Sequence, residues 1–189
     1  MVKVFTKNVN YNTFMYSNNS LFETVFNRVK AQDKGCTVFI PHVCNNIDSF
    51  GAGFAAQIAE YFPSVKTDYH LLGKNFLKAN LGYAQILTVY EEPKYKHKIH
   101  VVNMIAQNGI KSSSNPRPLN YCALVKSMAK LSMFINMNTG FIKQTENVEI
   151  HSPKFGSGLA GGNWPFISDL IDDIWGKYFV TVYNYPPKK

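Results

Sequence analysis

Cysteine is scarce in this chain of 189 residues, and acidic side chains are few. The three cysteines, Cys36, Cys44 and Cys122, are odd in number and nowhere spaced as CxxC. That argues against a disulfide framework and against a cysteine-built zinc site, and a reducing, cytoplasmic setting suits it. No window approaches the roughly 18 consecutive apolar residues of a membrane-spanning helix. The opening MVKVFTKNVNYN also lacks the apolar run of a signal peptide, so a soluble intracellular protein with no membrane partner is expected. Internal repeats and low-complexity linkers are missing too, which leaves one domain over residues 1–189. Twelve Asp and Glu stand against 20 Lys and Arg, a formal charge of +8. The excess favours an anionic partner, but the basic residues are scattered and only Lys94, Lys96, His97 and Lys98 cluster. Nucleic acid is therefore a background alternative. No His, Cys or carboxylate group has metal-ligand spacing, and His97 and His100 are too isolated to make one, so neither metal nor cofactor is called for.

What the chain does have is a hydrophobic content of 46%, enough for a core, laid out as alternating strand-like and helix-like segments. Val2–Phe5 reads as a first strand. Leu21–Gln32 reads as a helix opened by a capping box, Ser20 with Glu23 three residues on. Thr37–Pro41 (TVFIP) is a continuous apolar run, as expected of a strand buried on both faces. Helices are expected at Gly53–Tyr61, Thr67–Lys78, Leu119–Asn136 and Pro165–Tyr178. Tyr83–Tyr90 and Ile99–Ile105 read as a hairpin around EEPKYKHK, and Val148–His151 and Phe179–Tyr183 as further strands. About six strands and five helices result, an α/β domain with a mixed, mostly parallel sheet between helical layers.

Three loops stand where such sheets place their ligands, at strand-to-helix junctions. In FIPHVCNNIDSFGAGFAAQI, residues 39–58, Gly51 and Gly53 let backbone approach a bulky anion, and the helix that follows directs free N–H groups at the same place. The spacing fits neither GxGxxG nor the P-loop. Residues 153–164, PKFGSGLAGGNW, form a second such junction with four glycines. Two phosphate cradles in one small domain point to a diphosphate. Between them Ala106–Pro118 (AQNGIKSSSNPRP) offers amides, hydroxyls and one Arg, either as a third ligand loop or as a solvated turn.

These loops resemble those of the macro domains, which bind ADP-ribose. HVCNNIDSFGAGFAAQIAEYFP is similar to the first ligand loop of the branch that processes ADP-ribose 1″-phosphate, NMIAQNGI and the serines after it to its middle loop, and PKFGSGLAGGNWPFISDLI to its diphosphate loop and closing helix. The likeness runs from about Val4 to Tyr185 and includes the TVYNY strand. It implies a three-layer α/β/α sandwich and a small-molecule nucleotide ligand of the ADP-ribose type, free or carried by an ADP-ribosylated protein. It implies further that Asn8 meets the adenine amino group, that Asn45 and Asn46 address the distal ribose, and that Gly51, Ala52, Gly53 and Phe54 line the first phosphate. Gln107 and Asn108 belong to the middle loop. Ser157, Gly158, Leu159, Ala160, Gly161 and Gly162 would wrap the diphosphate with backbone N–H groups, and Tyr183 and Asn184 would sit at the adenine edge.

For chemistry the sharpest candidate is His42, which on this reading ends the buried strand just before the ribose loop, where the phosphatase-like branch also carries a His. It would take a proton from water or attack phosphorus; the alternative is a histidine that only hydrogen-bonds the loop. Asp48 is the nearest carboxylate in sequence, a candidate to orient His42 or a water, with a solvated turn Asp as the alternative. Lys111 and Arg117 are candidates to neutralise a terminal phosphate. Some de-ADP-ribosylating relatives carry an Asp in the diphosphate loop where this chain has Ala160, a departure that speaks against a lysine-nucleophile glycohydrolase. Two main functions follow, removal of the phosphate from ADP-ribose 1″-phosphate and non-catalytic binding of ADP-ribose, with nucleic-acid binding behind them.

Overall fold

The computed structural model describes residues 14–31, 34–139 and 147–184. The strand expected at Val2–Phe5 and the adenine contact expected at Asn8 lie outside the described residues. Within them the strands are β1 (Met15–Ser17), β2 (Thr37–Asn45), β3 (Ala84–Glu92), β4 (His97–Gln107), β5 (Val148–Pro153) and β6 (Phe179–Tyr183). The helices are α1 (Leu21–Lys30), α2 (Phe54–Tyr61), α3 (Pro63–Leu71), α4 (Lys74–Ala79), α5 (Tyr121–Thr139) and α6 (Trp164–Trp175). The sheet runs β1-β6-β5-β2-β4-β3, parallel throughout except for the antiparallel β3–β4 hairpin.

Alternation along the central strands explains the layers. On β4, Ile99, Val101 and Ile105 enter the core shared with α1 to α4, while Val102, Met104 and Ala106 enter the core shared with α5 and α6. Both faces are covered, so the strand reads as an unbroken apolar run rather than as a polar–apolar alternation. The mixed six-stranded sheet with helices on both sides is the architecture expected. Ser20 caps α1 as its sequence suggests, its Oγ accepting the Glu23 N–H at 3.3 Å.

Of the boundaries that differ from expectation, three have a plain local reason. The stretch Thr67–Lys78 is two helices, because Gly73 adopts φ +75° and separates α3 from α4. α6 stops at Trp175, and Gly176 follows. β2 continues past Pro41 to Asn45, held by β4 alone, since its pairing with β5 ends at Phe39 opposite Ile150. Pro41, with no N–H for the ladder, lies just beyond that point.

This divergence positions a crevice. β2 leads into α2 on one face of the sheet and its neighbour β5 leads into α6 on the other. Adjacent parallel strands whose connections leave to opposite faces make a topological switch point, where open α/β sheets bind ligands outside the carboxyl ends of the strands. The basic turn at Lys94–Lys98 lies at the amino end of β4, the far end of the sheet. There Lys98 pairs with Glu91 at 2.8 Å and the His97 ring is buried, accepting from the Cys36 N–H and donating to the Ala31 carbonyl.

Candidate functional site

The two glycine loops leave the sheet at the switch point and meet above it. A Cβ built on Gly53 would come within 3.3 Å of Leu159 Cδ1. Among the described residues the backbone N–H groups of Gly51, Ala52 and Gly53 on one side, and of Ser157, Gly158, Leu159 and Ala160 on the other, donate to nothing. Concave runs of free N–H groups beside a helix start attract anions. Gly161 and Gly162, expected to join in this wrapping, use their N–H groups inside the loop, donating to Gly158 O at 3.0 Å and Gly156 O at 2.8 Å.

The glycines therefore divide by role. A Cβ on Gly162 would lie 2.4 Å from Leu119 Cδ2 and 2.7 Å from the Gly156 carbonyl, so the loop packs only with hydrogen there. Gly162→Ala is expected to lower stability by about 1–3 kcal/mol, read as a lower urea midpoint. At Gly51 and Gly158 the added carbon would meet nothing within 4 Å, and the space stays open for a ligand.

A cavity of about 360 Å³ opens at one end of this cleft, lined by Asn18, Asn19, Phe22, Gln57, Tyr61, Tyr183 and Asn184 among others. Asn184 is half-buried at this cavity, whereas Tyr183 is 1% exposed and packs with the core shared by α1 to α4. The Tyr183 hydroxyl is engaged with His151 Nδ1 at 2.7 Å, and burial raises its pKa. Asn184 Nδ2 donates to Asn18 Oδ1 at 2.9 Å, and the Phe22 and Tyr61 rings stack at 3.9 Å. Asn18 and Asn19 follow the edge strand β1, which escapes a sequence reading because it is three residues long; the Ser20 cap, marking where the loop ends, is the signal that could have found them.

The first loop corrects several expectations. Asn45 is 8% exposed, and its Oδ1 already accepts from Ile47 N–H at 3.0 Å, Ser49 N–H at 3.2 Å and the Tyr69 hydroxyl at 3.1 Å. Asn46, 4% exposed, accepts from Gly109 N–H at 2.8 Å and donates to Asn108 Oδ1 at 3.0 Å. Both amides brace the loop and tie it to its neighbours. Asn108 is exposed beside them, and Gln107 Nε2 donates to the Gly109 carbonyl.

His42 does not end its strand. It lies within β2, 1% exposed, under the Phe50 and Phe54 rings. A chain of hydrogen bonds fixes its tautomer. The Asp68 carbonyl can only accept, so Gln85 Nε2 donates to it at 2.9 Å; Gln85 Oε1 then accepts from Asn103 Nδ2 at 2.9 Å, and Asn103 Oδ1 accepts from His42 Nε2–H at 2.6 Å. Burial pulls the imidazole pKa down to about 4, against the opposing pull of Asn103. Cys44 Sγ lies 3.8 Å from the ring, but burial pushes the thiol pKa up, the reverse of an activated cysteine–histidine pair. His42 is the inner end of a buried polar chain that passes through Asn103 on β4 and Gln85 on β3 to α3. Asp48 does not orient it: the Asp48 carboxylate meets His70 instead, Oδ1 to Nδ1 at 2.6 Å.

The middle loop carries a largely exposed turn at residues 112–115, braced at its base by hydrogen bonds. Asn108 N–H donates to the Pro118 carbonyl, and Asn115 Nδ2 to those of Asn108 and Ile110. With the start of α5 it borders a second, open-sided cavity, about 350 Å³, lined by Asn108, Asn115, Arg117, Asn120, Tyr121 and Cys122 among others. The Arg117 guanidinium lies 4.9 Å over the Tyr121 ring. This cavity touches the first loop through Asn108 and Asn46, and the Gly156–Gly162 turn through Leu119 N–H, which donates to Ala160 O. No group of three or more His, Cys, Asp or Glu among the described residues could hold a metal ion, and no helix there is long and apolar enough to cross a membrane.

No family model matches the chain. An uncharacterised 17.5 kDa protein from the tk-vs intergenic region of Enterobacteria phage T4 is 28% identical over 152 residues, which cover 78% of this chain and 86% of that protein. A macrodomain protein from Streptomyces coelicolor superposes with a TM-score of 0.63 at 25% identity, over 92% of this chain and 98% of that one. Thermosipho africanus DarTG, solved in complex with ADP-ribose, superposes at 0.54 and 15% identity over 80% of this chain and 39% of its own. The chain has the fold of the macrodomains.

Proposed function

We propose that this chain is a single macrodomain, and that it binds ADP-ribose or a derivative across the switch point of its sheet. The observation that carries the reading is the pair of facing loops, Gly51–Gly53 and Ser157–Ala160, whose free N–H groups suit a diphosphate. The adenine end takes the Asn18–Tyr183 cavity, where the stacked Phe22 and Tyr61 rings border a polar edge of asparagines. The distal ribose lies toward Asn108. The DarTG complex supports the choice of ligand. The buried free thiols of Cys36 and Cys44 go with a reducing, cytoplasmic setting. Calorimetric titration tests the reading: ADP-ribose is expected to bind more tightly than AMP, which lacks the second phosphate and ribose. No heat with ADP-ribose would overturn it.

Beyond binding, the Arg117 cavity favours a hydrolytic role, conversion of ADP-ribose 1″-phosphate to ADP-ribose and phosphate. It offers a guanidinium and three amides next to the distal end of the cleft, a setting for one more anionic group. His42 is not the base in this reading, because its ring is enclosed. A phosphorus NMR time course with ADP-ribose 1″-phosphate is expected to show inorganic phosphate appearing. Shifted diphosphate signals without a new species would make the protein a reader of ADP-ribose, free or protein-linked.

A further inference from the structure

We propose that Asp48 and His70 form a catalytic dyad at the first loop, with His70 Nε2 the base that activates water against a phosphate ester at the distal end of the bound nucleotide. The inference rests on the hydrolytic reading above and supplies the group that reading lacks once His42 is buried.

His70 lies in the last turn of α3 with Nδ1 2.6 Å from Asp48 Oδ1. An ionised carboxylate only accepts, so Nδ1 carries the proton, and in the neutral ring Nε2 keeps its lone pair. Among the described residues Nε2 has no hydrogen-bond partner, and the His70 side chain is 38% exposed while that of Asp48 is 18% exposed. A base oriented by a carboxylate, with its other nitrogen open to an incoming proton, is the arrangement that hydrolytic sites use.

Asp48 is one of two non-glycine residues with positive φ among the described residues, the other being Lys96 at the far end of the sheet. Asp48 adopts φ +62°, a region where a side chain costs roughly 1 kcal/mol and glycine costs nothing. The neighbouring strained position, Gly53 at φ +59°, does hold glycine. What glycine at position 48 would forfeit is the carboxylate. The turn of α3 that carries His70 is also fastened to the start of the loop, where the Tyr69 hydroxyl donates to Asn45 O at 2.7 Å, and to β3, where the Asp68 carbonyl accepts from Gln85. Tyr69 and His70 thus hold the imidazole at a loop whose next part, Gly51–Gly53, offers free N–H groups to the diphosphate. In the reaction, water oxygen forms a bond to phosphorus as its proton passes to His70 Nε2. The bond from phosphorus to the sugar oxygen breaks, its electron pair leaves with that oxygen, and solvent supplies the proton that completes ADP-ribose. Asp48 is a positioning residue, and His70 is the catalytic one.

The test uses the full chain and ADP-ribose 1″-phosphate, with phosphate release followed by phosphorus NMR and ADP-ribose affinity by calorimetry. His70→Ala is expected to lower kcat about 100-fold, a typical share for a general base, with ADP-ribose affinity kept within about twofold. Added imidazole is expected to restore part of that loss, which a merely structural role would not allow. Asp48→Gly keeps the left-handed backbone and removes the carboxylate, so it is expected to fold as well as the wild type and to lose kcat rather than KM. Full turnover in both variants would overturn the dyad and leave the hydrolytic reading standing. A wild-type protein that binds ADP-ribose and releases no phosphate would overturn both.

Discussion

Valine in place of Gly158, or of Gly51, is expected to weaken ADP-ribose binding by about 100-fold while leaving the melting temperature nearly unchanged. Neither glycine adopts the left-handed backbone that excludes side chains, and a Cβ at either would meet no protein atom within 4 Å. The fold therefore does not need glycine at these points, and the valine side chain restricts the unfolded chain slightly more than glycine does. The neighbouring N–H groups are without partners, so a diphosphate docked on them lies where the new side chain would stand. Displacing it forfeits two or more charge-assisted hydrogen bonds at about 1.5–3 kcal/mol each, and about 3 kcal/mol is two decades of affinity. Differential scanning calorimetry and titration with ADP-ribose separate the two effects. Unchanged affinity in both variants would mean that the nucleotide does not pass between the loops. Gly162→Ala serves as the opposite control, since there the added carbon meets Leu119 and the Gly156 carbonyl whether or not a ligand is present.

The contrast between these glycines shows where a sequence stops being legible. Alternation and turn chemistry are local, so β2 to β6, the hairpin, the Ser20 cap and the placing of all three loops at strand ends could be read from the residues, while the three-residue β1 could not. Which glycine faces open space and which faces Leu119 depends on how residues 156–162 pack on a segment some 40 positions earlier, and no spacing encodes that. His42 illustrates the same limit. A histidine at the end of TVFIP, just before an amide-rich loop, reads as a candidate base when the strand is taken to stop at Pro41. The register of β2 on β4 sets His42 opposite Asn103, 61 residues later, and that pairing turns the ring into part of a buried polar chain. Asp48 then finds His70, 22 residues on, because α3 folds back over the loop. Asn45 and Asn46 were legible as important to the loop but not as its internal braces, since their partners Tyr69, Asn108 and Gly109 belong to other elements.

Acid should destabilise the protein through His42, and removing that ring should flatten the response. In the fold its pKa is held near 4, against about 6.5 in an unfolded chain. Above pH 6.5 the ring is neutral in both states and contributes no pH dependence. Between 6.5 and 4 the unfolded chain takes up a proton that the folded chain refuses, so stability falls with decreasing pH; below 4 both states are protonated and the slope ends. The span of about 2.5 units corresponds to about 3 kcal/mol at this fully enclosed site. His100, stacked on Phe39 with its pKa also lowered to about 4 by burial and then by Lys98, adds a second contribution of the same sign. Urea unfolding at pH 7, 5.5 and 4.5 is expected to show this decline in the wild type and a shallower one in His42→Gln, whose amide can still donate to Asn103. In the same variant ADP-ribose affinity and phosphate release are expected to stay close to wild type, because the ring is enclosed against Phe50 and Phe54. A His42→Gln protein that folds, binds ADP-ribose and releases no phosphate would return the role of base to His42, and with it require the loop above the ring, Phe50 and Phe54 included, to open during turnover.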